Sequence, residues 1–166
     1  MRAAYLIFIS LIMVTLATPG CAPRVPREVV TQVTWDGDFS TLRENPQEYR
    51  NEFVIFGGRI ISTDNYEDRA EITVLQLPLD NAQRPIPGRE TQGRFLIVSD
   101  TFLDPETYAR GELVTVAGRV TGSVRRPIGE YQYEHPIIEG DIWVWEPRPT
   151  GVAPRFRFGV GIGKTF

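Results

Sequence analysis

A chain of 166 residues that is 42% hydrophobic and 23% charged has the composition of one globular domain of ordinary size, which excludes a disordered or fibrous protein. Its formal charge of −3 becomes −4 when the first 20 residues are set aside, leaving 17 basic residues against 21 acidic ones. That balance is too weak to argue for a nucleic-acid partner or for electrostatic attachment to anionic lipid.

After Arg2 no charged residue occurs before Arg24, and the centre of the stretch reads Leu6-Ile7-Phe8-Ile9-Ser10-Leu11-Ile12-Met13-Val14. A short basic start, an apolar run and then small residues predict a secretory signal peptide over residues 1–20. Two other readings exist. An uncleaved transmembrane anchor fits because about 20 uncharged residues just span ~30 Å of hydrocarbon, although Pro19-Gly20 would shorten that helix. A plain secreted protein leaves the position of the only cysteine, Cys21, to chance.

A lone thiol in an exported chain forms no internal disulfide. Cys21 directly follows Gly20 at the end of the apolar run, as in bacterial lipoprotein signals. There a small residue precedes the cleavage point, and the first mature residue is a cysteine that takes a diacylglycerol by thioether. The Leu usual three residues before the cysteine is replaced by Thr18, with Pro19 beside it. The expectation is therefore cleavage between Gly20 and Cys21 and lipidation of Cys21. Apart from that covalent diacylglycerol and an N-acyl chain, no cofactor is expected. Ala22, rather than Asp, follows the cysteine, which favours the outer membrane and its periplasmic face. Three acyl chains hold stably where one is marginal.

Residues 21–35 read as a lipidated N-terminus and tether, because Pro23, Pro26 and alternating charge oppose regular structure. The folded domain is expected over residues 36–146. Within it Pro46-Gln47-Glu48-Tyr49-Arg50-Asn51-Glu52-Phe53-Val54-Ile55-Phe56-Gly57-Gly58-Arg59-Ile60 repeats as Pro105-Glu106-Thr107-Tyr108-Ala109-Arg110-Gly111-Glu112-Leu113-Val114-Thr115-Val116-Ala117-Gly118-Arg119-Val120, with one residue inserted. Each copy predicts a short helix, capped by Asn45 or Asp104 with Pro at the first helical position, followed by a strand. In the strands Val54, Phe56, Gly58 and Ile60, or Val114, Val116, Gly118 and Val120, share one face by the two-residue period, leaving Arg59 and Arg119 to solvent. A glycine on a buried strand face marks a sharp bend or a close approach.

Further strands are predicted over 72–79, 94–99 and 137–145, with turns at Asp64-Asn65 and over 81–93. The expected fold is mainly β with two short helices: a small five-stranded, partly open barrel of the oligonucleotide/oligosaccharide-binding (OB) type, with one helix before the fourth strand. Residues 147–166 form a Pro/Gly-rich C-terminal tail in which Phe156, Phe158, Val160 and Ile162 alternate with Arg155, Arg157, Gly159 and Gly161. This is read as a pliable segment that lies on the domain or a partner.

Few residues suit catalysis. The sole histidine, His135, sits between Glu134 and Pro136 and is read as a surface residue of a Pro-rich turn, without a matching nucleophile. No spacing of His, Cys or carboxylates resembles a metal site, and Asp64-Asn65-Tyr66-Glu67-Asp68 lacks the order of a calcium loop. No catalytic and no metal residues are therefore assigned. Tyr131, Tyr133, Trp143 and Trp145 are the candidate ligand or partner surface, as a stacking platform for sugars, with core anchoring as the alternative for the tryptophans.

Residues 45–145 carry, in order, Phe56-Gly57-Gly58-Arg59-Ile60, Leu77-Pro78-Leu79-Asp80, Gly93-Arg94-Phe95-Leu96, Phe102-Leu103-Asp104-Pro105, the spaced Gly118 and Gly122, and Ile142-Trp143-Val144-Trp145. In these the chain resembles the Slp family of outer-membrane lipoproteins, the starvation- or stationary-phase-associated group of Gram-negative bacteria. The resemblance implies a lipidated outer-membrane protein of the cell envelope and carries no catalytic residue with it. The functions left open are a stress-related structural or protein-interaction role and, alternatively, a periplasmic glycan- or small-ligand-binding module. The partners would be the membrane, through the lipid, and an envelope protein or glycan.

Overall fold

The computed structural model describes residues 25–146. The signal peptide expected over residues 1–20, the expected cleavage and lipidation site at Gly20 and Cys21, and the tail from residue 147 lie outside the described residues. In chain order the elements are helices α1 (Arg27–Val30) and α2 (Phe39–Glu44), then strands β1 (Phe53–Asn65), β2 (Ala70–Leu77), β3 (Arg94–Ser99), β4 (Leu113–Ile128) and β5 (Tyr131–Trp145). The five strands close in the order β1-β2-β3-β5-β4, with β4 returning to β1. All pairs are antiparallel except β3 with β5, a parallel seam of three register pairs from Leu96↔Ile137 to Val98↔Glu139. The mainly β, five-stranded arrangement with two short helices is as expected, but the ring is closed rather than partly open.

The sequence repeat builds the β1–β4 ladder about a local two-fold axis. Phe56 faces Val116 at its centre, while Phe53 faces Arg119 and Arg59 faces Leu113, so each copy meets the other in reverse. The ends match too. Asn51 N–H donates to the Val120 carbonyl and Val120 N–H to that of Glu52, while Gly111 N–H donates to the Ile60 carbonyl and Ile60 N–H to that of Glu112. Asn51 (φ +72°) and Gly111 (φ +99°) occupy equivalent left-handed positions. Even the register shifts coincide, one between Ile60 and Ser62, the other between Val120 and Gly122. A bulge sharpens strand twist, and here it lets each long strand leave the ladder to pair elsewhere.

The helices are not where the repeat predicted them. Residues 46–51 and 105–108 are hydrogen-bonded turns, because the left-handed residue that follows each ends the chain's α-conformation before a helix can propagate past its costly first turn. No helix precedes the fourth strand; turns do. The two observed helices lie earlier, and α1 falls inside the segment read as an irregular tether, beside a buried Val25. Neither is long enough to show a 3.6-residue period in the sequence.

Phe39 and Leu42 of α2 plug the mouth of the barrel at the start of β3, Phe39 packing on Phe56 (5.2 Å) and Phe95 (5.7 Å). Leu103 closes the other mouth, held by Asn65, whose side chain donates to its carbonyl and accepts from its N–H. Between them Val54, Ile60, Ile72, Val74, Ile97, Val114, Val116, Val120 and Ile138 fill the interior. β4 and β5 run on beyond the ring as an arm, joined at a two-residue turn where Gly129 (φ +61°) takes the first central position that a type II′ turn gives to glycine.

Candidate functional site

A groove of about 600 Å³ lies between residues 30–39, β1 and the loop over 78–92. Its floor is Ile55 and Phe56, with Leu77 and Leu79 opposite Val30 and Val33. Trp35 forms one wall. Its ring packs against Tyr49 (4.8 Å) and Phe56 (6.2 Å) and lies over Gly37, where a Cβ would come within 2.5 Å of it. Strand alternation explains the place of Ile55, which turns outward between the core residues Val54 and Phe56.

The loop that forms the far wall is fixed by polar contacts. The Asp80 carboxylate accepts from the N–H groups of Ala82 and Arg84, an Asx-type turn. The Thr115 hydroxyl donates to the Gln83 carbonyl (2.6 Å). Gln76, nearly buried, accepts from Gln92 N–H; the Gln92 side chain accepts from Ser40 N–H; and Arg43 donates to the Gln92 carbonyl at 2.6 Å. The groove is thus preformed, apolar below and rimmed by amides with Asp36 and Asp38. Such a lining suits binding; it offers neither histidine nor a cation among the described residues.

The predicted surface residues do not converge. Tyr131 is exposed at the tip of the arm. The Tyr133 hydroxyl accepts from Arg94 N–H (2.8 Å), and its ring meets that of His135 at 4.7 Å. Trp143 is half-buried, paired with Thr115, and Trp145 is buried, its indole N–H donating to the Thr115 hydroxyl (2.9 Å) with the Arg84 guanidinium 5.3 Å from its ring. Ten residue steps of strand separate Tyr133 from Trp143, roughly 33 Å if straight. Four aromatics on one strand parity therefore make two separate places. Trp35 was the aromatic that sequence reasoning missed, although Trp35-Asp36-Gly37-Asp38 carries turn residues around a large ring.

His135 is not a surface turn residue. It lies in β5 opposite Val124, 4% exposed, because the arm continues through Pro136 and covers the outer side of the sheet. Burial pushes its imidazole below the ordinary range, Arg126 and Arg94 adding to this and the Tyr133 carbonyl opposing it. Beneath the arm Glu71, also buried, accepts from both terminal nitrogens of Arg126 (2.6 and 3.1 Å) and from Arg69 Nε (2.9 Å). The Arg126 hydrogen bonds hold the Glu71 carboxyl below the usual range against the cost of its burial. Glu134 is lowered as well, first by the Ser123 hydroxyl and then by Arg125. Neither His135 nor Glu71 lines the groove.

The model of the outer membrane lipoprotein Slp family matches residues 18–158. The chain belongs to that family. As a Slp-family protein it is an outer-membrane lipoprotein, in keeping with the resemblance seen in its motifs. It is similar to the uncharacterized lipoprotein YeaY of Escherichia coli K12, 32% identical over 61% of this chain and 52% of that one. It is also similar to the outer membrane protein Slp of the same strain, 32% identical over 66% and 58%. An uncharacterized protein of Haemophilus influenzae is 28% identical over 55% and 51%. The chain thus spans about half the length of the curated relatives it matches. Among solved structures, an OBody bound to hen egg-white lysozyme aligns with 58% of this Slp-family chain and 96% of its own (12% identity, TM-score 0.33). Schizosaccharomyces pombe Pot1pC bound to single-stranded DNA aligns with 63% and 86% (13%, TM-score 0.35). Both scores are too low to bear on ligands.

Proposed function

We propose that the protein is a non-catalytic component of the cell envelope, attached through acyl chains on Cys21 to the periplasmic face of the outer membrane. Its β-barrel body would bind another envelope protein as part of a structural, stress-related role. The observation that carries this is the family match, which spans Gly20-Cys21 as well as the body, at a cysteine that directly follows an apolar leader. The preformed groove supports the interaction part, because apolar floors ringed by amides take extended chains without reorganisation. The burial of His135 away from the groove supports the non-catalytic part.

Intact mass of the protein purified from membranes tests the attachment. The expected species starts at Cys21 and carries a diacylglycerol and an N-acyl chain; an unmodified Cys21 or a retained leader overturns it. For the interaction, in-cell photo-crosslinking from position 79 is expected to give one discrete envelope-protein adduct that Ile55→Glu removes. Uniform, variant-insensitive labelling counts against it.

A second reading, a glycan- or small-ligand-binding module, is favoured by Trp35 standing beside Gln76, Gln83 and Gln92 in the groove, since rings and amides together suit sugars. Peptidoglycan fragments would then change the tryptophan emission of the wild type and not of Trp35→Phe. An unchanged spectrum at saturating fragment removes this reading.

A further inference from the structure

The two copies of the repeat treat one pair of equivalent arginines differently. On β4, Arg119 stands between Phe53 and Glu139 of the neighbouring strands and donates to the Asn51 carbonyl at 2.7 Å. Its counterpart on β1, Arg59, stands between Leu75 and Leu113, with Trp145 next beyond Leu113 in the same row. Residues directly opposite on adjacent strands share a face, so this exposed guanidinium is set in an apolar band that crosses β2, β1, β4 and β5. Among the described residues Arg59 makes no hydrogen bond, ion pair or ring contact.

A loop turns that band into a cleft. Gly57, the neighbouring outward position on β1, bears no side chain, and Leu79 and Pro85 rest against it: a Cβ there would come within 2.8 Å of Leu79 Cδ2 and 3.0 Å of Pro85 Cγ. The loop thereby walls a cleft of about 390 Å³ in which Leu77, Pro85, Ile86, Leu113 and Trp145 surround the approach to Arg59. Arg59 and Leu77 also line an adjoining hollow that holds Arg89. The other charges at hand are used or set apart. Asp80 accepts from the N–H groups of Ala82 and Arg84, the Arg84 guanidinium donates to the Glu146 carbonyl and lies 5.3 Å from the Trp145 ring, and Glu112 and Glu90 line these hollows without an ion pair to Arg59. The wall also lacks backbone donors, since Pro85 and Pro87 have no N–H and that of Ile86 is given to the Pro78 carbonyl. A peptide laid along it would find no partner there for its carbonyls, whereas a hydrocarbon chain needs none.

We infer that this cleft binds an anionic amphiphile, its hydrocarbon chain against Leu77, Pro85, Ile86 and Leu113 and its carboxylate or phosphate on the Arg59 guanidinium, whose fork suits either group. The cleft shares only Leu77 with the groove, so the inference is independent of what the groove binds.

The test uses the mature chain from residue 21 with Cys21→Ser, so that no acyl chain of its own competes. Equilibrium dialysis measures decyl phosphate and decanoate below their micelle concentrations, with decanol and inorganic phosphate as controls. Saturable binding of about one molecule per chain is expected for at least one of the two anions. Decanoate alone would assign a fatty acid, and decyl phosphate alone a phospholipid-derived headgroup. Arg59→Gln should weaken binding at least about 10-fold at an unchanged urea midpoint, and Arg59→Lys should recover part of the loss. Arg119→Gln and the groove variant Ile55→Glu should bind as the wild type does. No binding of either anion overturns the proposal, as does equal affinity in Arg59→Gln. Decanol or inorganic phosphate bound as tightly as the anions overturns it too, since the site would then read only one half of the molecule. Equal weakening by Ile55→Glu would move the ligand to the groove and overturn it as well.

Discussion

A Cβ placed on Gly58 would stand 1.9 Å from the Leu75 carbonyl oxygen, and one on Gly118 2.0 Å from that of Glu139. These two glycines are equivalent under the local two-fold, and in each case the obstructing atom is backbone that cannot swing away. Gly58→Ala and Gly118→Ala are each expected to destabilise the fold by about 3 kcal/mol, the upper end of overpacking costs. At Gly111 nothing lies within 4 Å, so Gly111→Ala should cost only the left-handed strain, about 1–2 kcal/mol. Urea unfolding of the three variants orders them, and a Gly118→Ala protein as stable as Gly111→Ala would contradict the close approach. His135 gives a pH dependence instead. Its folded pKa lies below the unfolded value of about 6.5, so just below pH 6.5 the unfolded chain takes up a proton that the folded chain refuses. Stability therefore falls as pH falls through that window. Melting temperatures between about pH 7.5 and 5.5 should drop for the wild type and stay level for His135→Gln; parallel curves would place the titration elsewhere.

Among the elements, the β4–β5 arm depends on what lies under it. Glu71 has a side chain 4% exposed, whereas its partners Arg126 and Arg69 are 37% and 42% exposed, so water reaches half of each pair and the full penalty of a broken buried pair does not apply. Glu71→Gln is expected to cost about 2 kcal/mol and to raise amide exchange in the arm over 122–134 more than in the ring. Equal protection in both proteins would mean that the arm is held by its ladder alone. Because the Glu71 carboxyl is held low, its contribution is present above the unfolded carboxylate range and lost as pH falls through the folded value; the variant should lack that acid step. Much of the ring was legible in the sequence: alternation marked β1 and the first half of β4, and β3 matches its predicted bounds, because these strands have one face in a dry core. The arm was not legible. Gly122, Pro127, Gly129 and Pro136 all signal breaks, yet within a two-stranded ribbon they sit at the bulge, the turn and positions that cost no ladder bond. Trp35 escaped notice for a related reason, since a short loop held against a barrel by one ring leaves no periodicity.

For the whole molecule, the decisive length is the one between the lipid site and the body. Had residues 21–35 been an irregular spacer, the barrel could stand well off the bilayer. Val25, however, is 1% exposed, Thr34 N–H donates to the Phe53 carbonyl, the Thr34 hydroxyl bonds Glu52, and Trp35 packs on Tyr49 and Phe56. Only four residue steps separate Cys21 from Val25, about 14 Å fully extended. A chain acylated at Cys21 would thus carry its groove side within one short step of the headgroups, and the N-terminal segment would be structural cover for that groove. Removing residues 25–38 should therefore cost about 3–4 kcal/mol, from the lost burial of Val25 and the partial burial of Trp35 and their neighbours. Inserting a flexible Gly/Ser stretch directly after Arg24 should leave stability unchanged, because it lengthens the path without uncovering the barrel. Urea midpoints separate the two outcomes: a truncated protein that unfolds with the wild type would make the segment a spacer after all, and a destabilised insertion would mean that residues before Val25 also belong to the packed body.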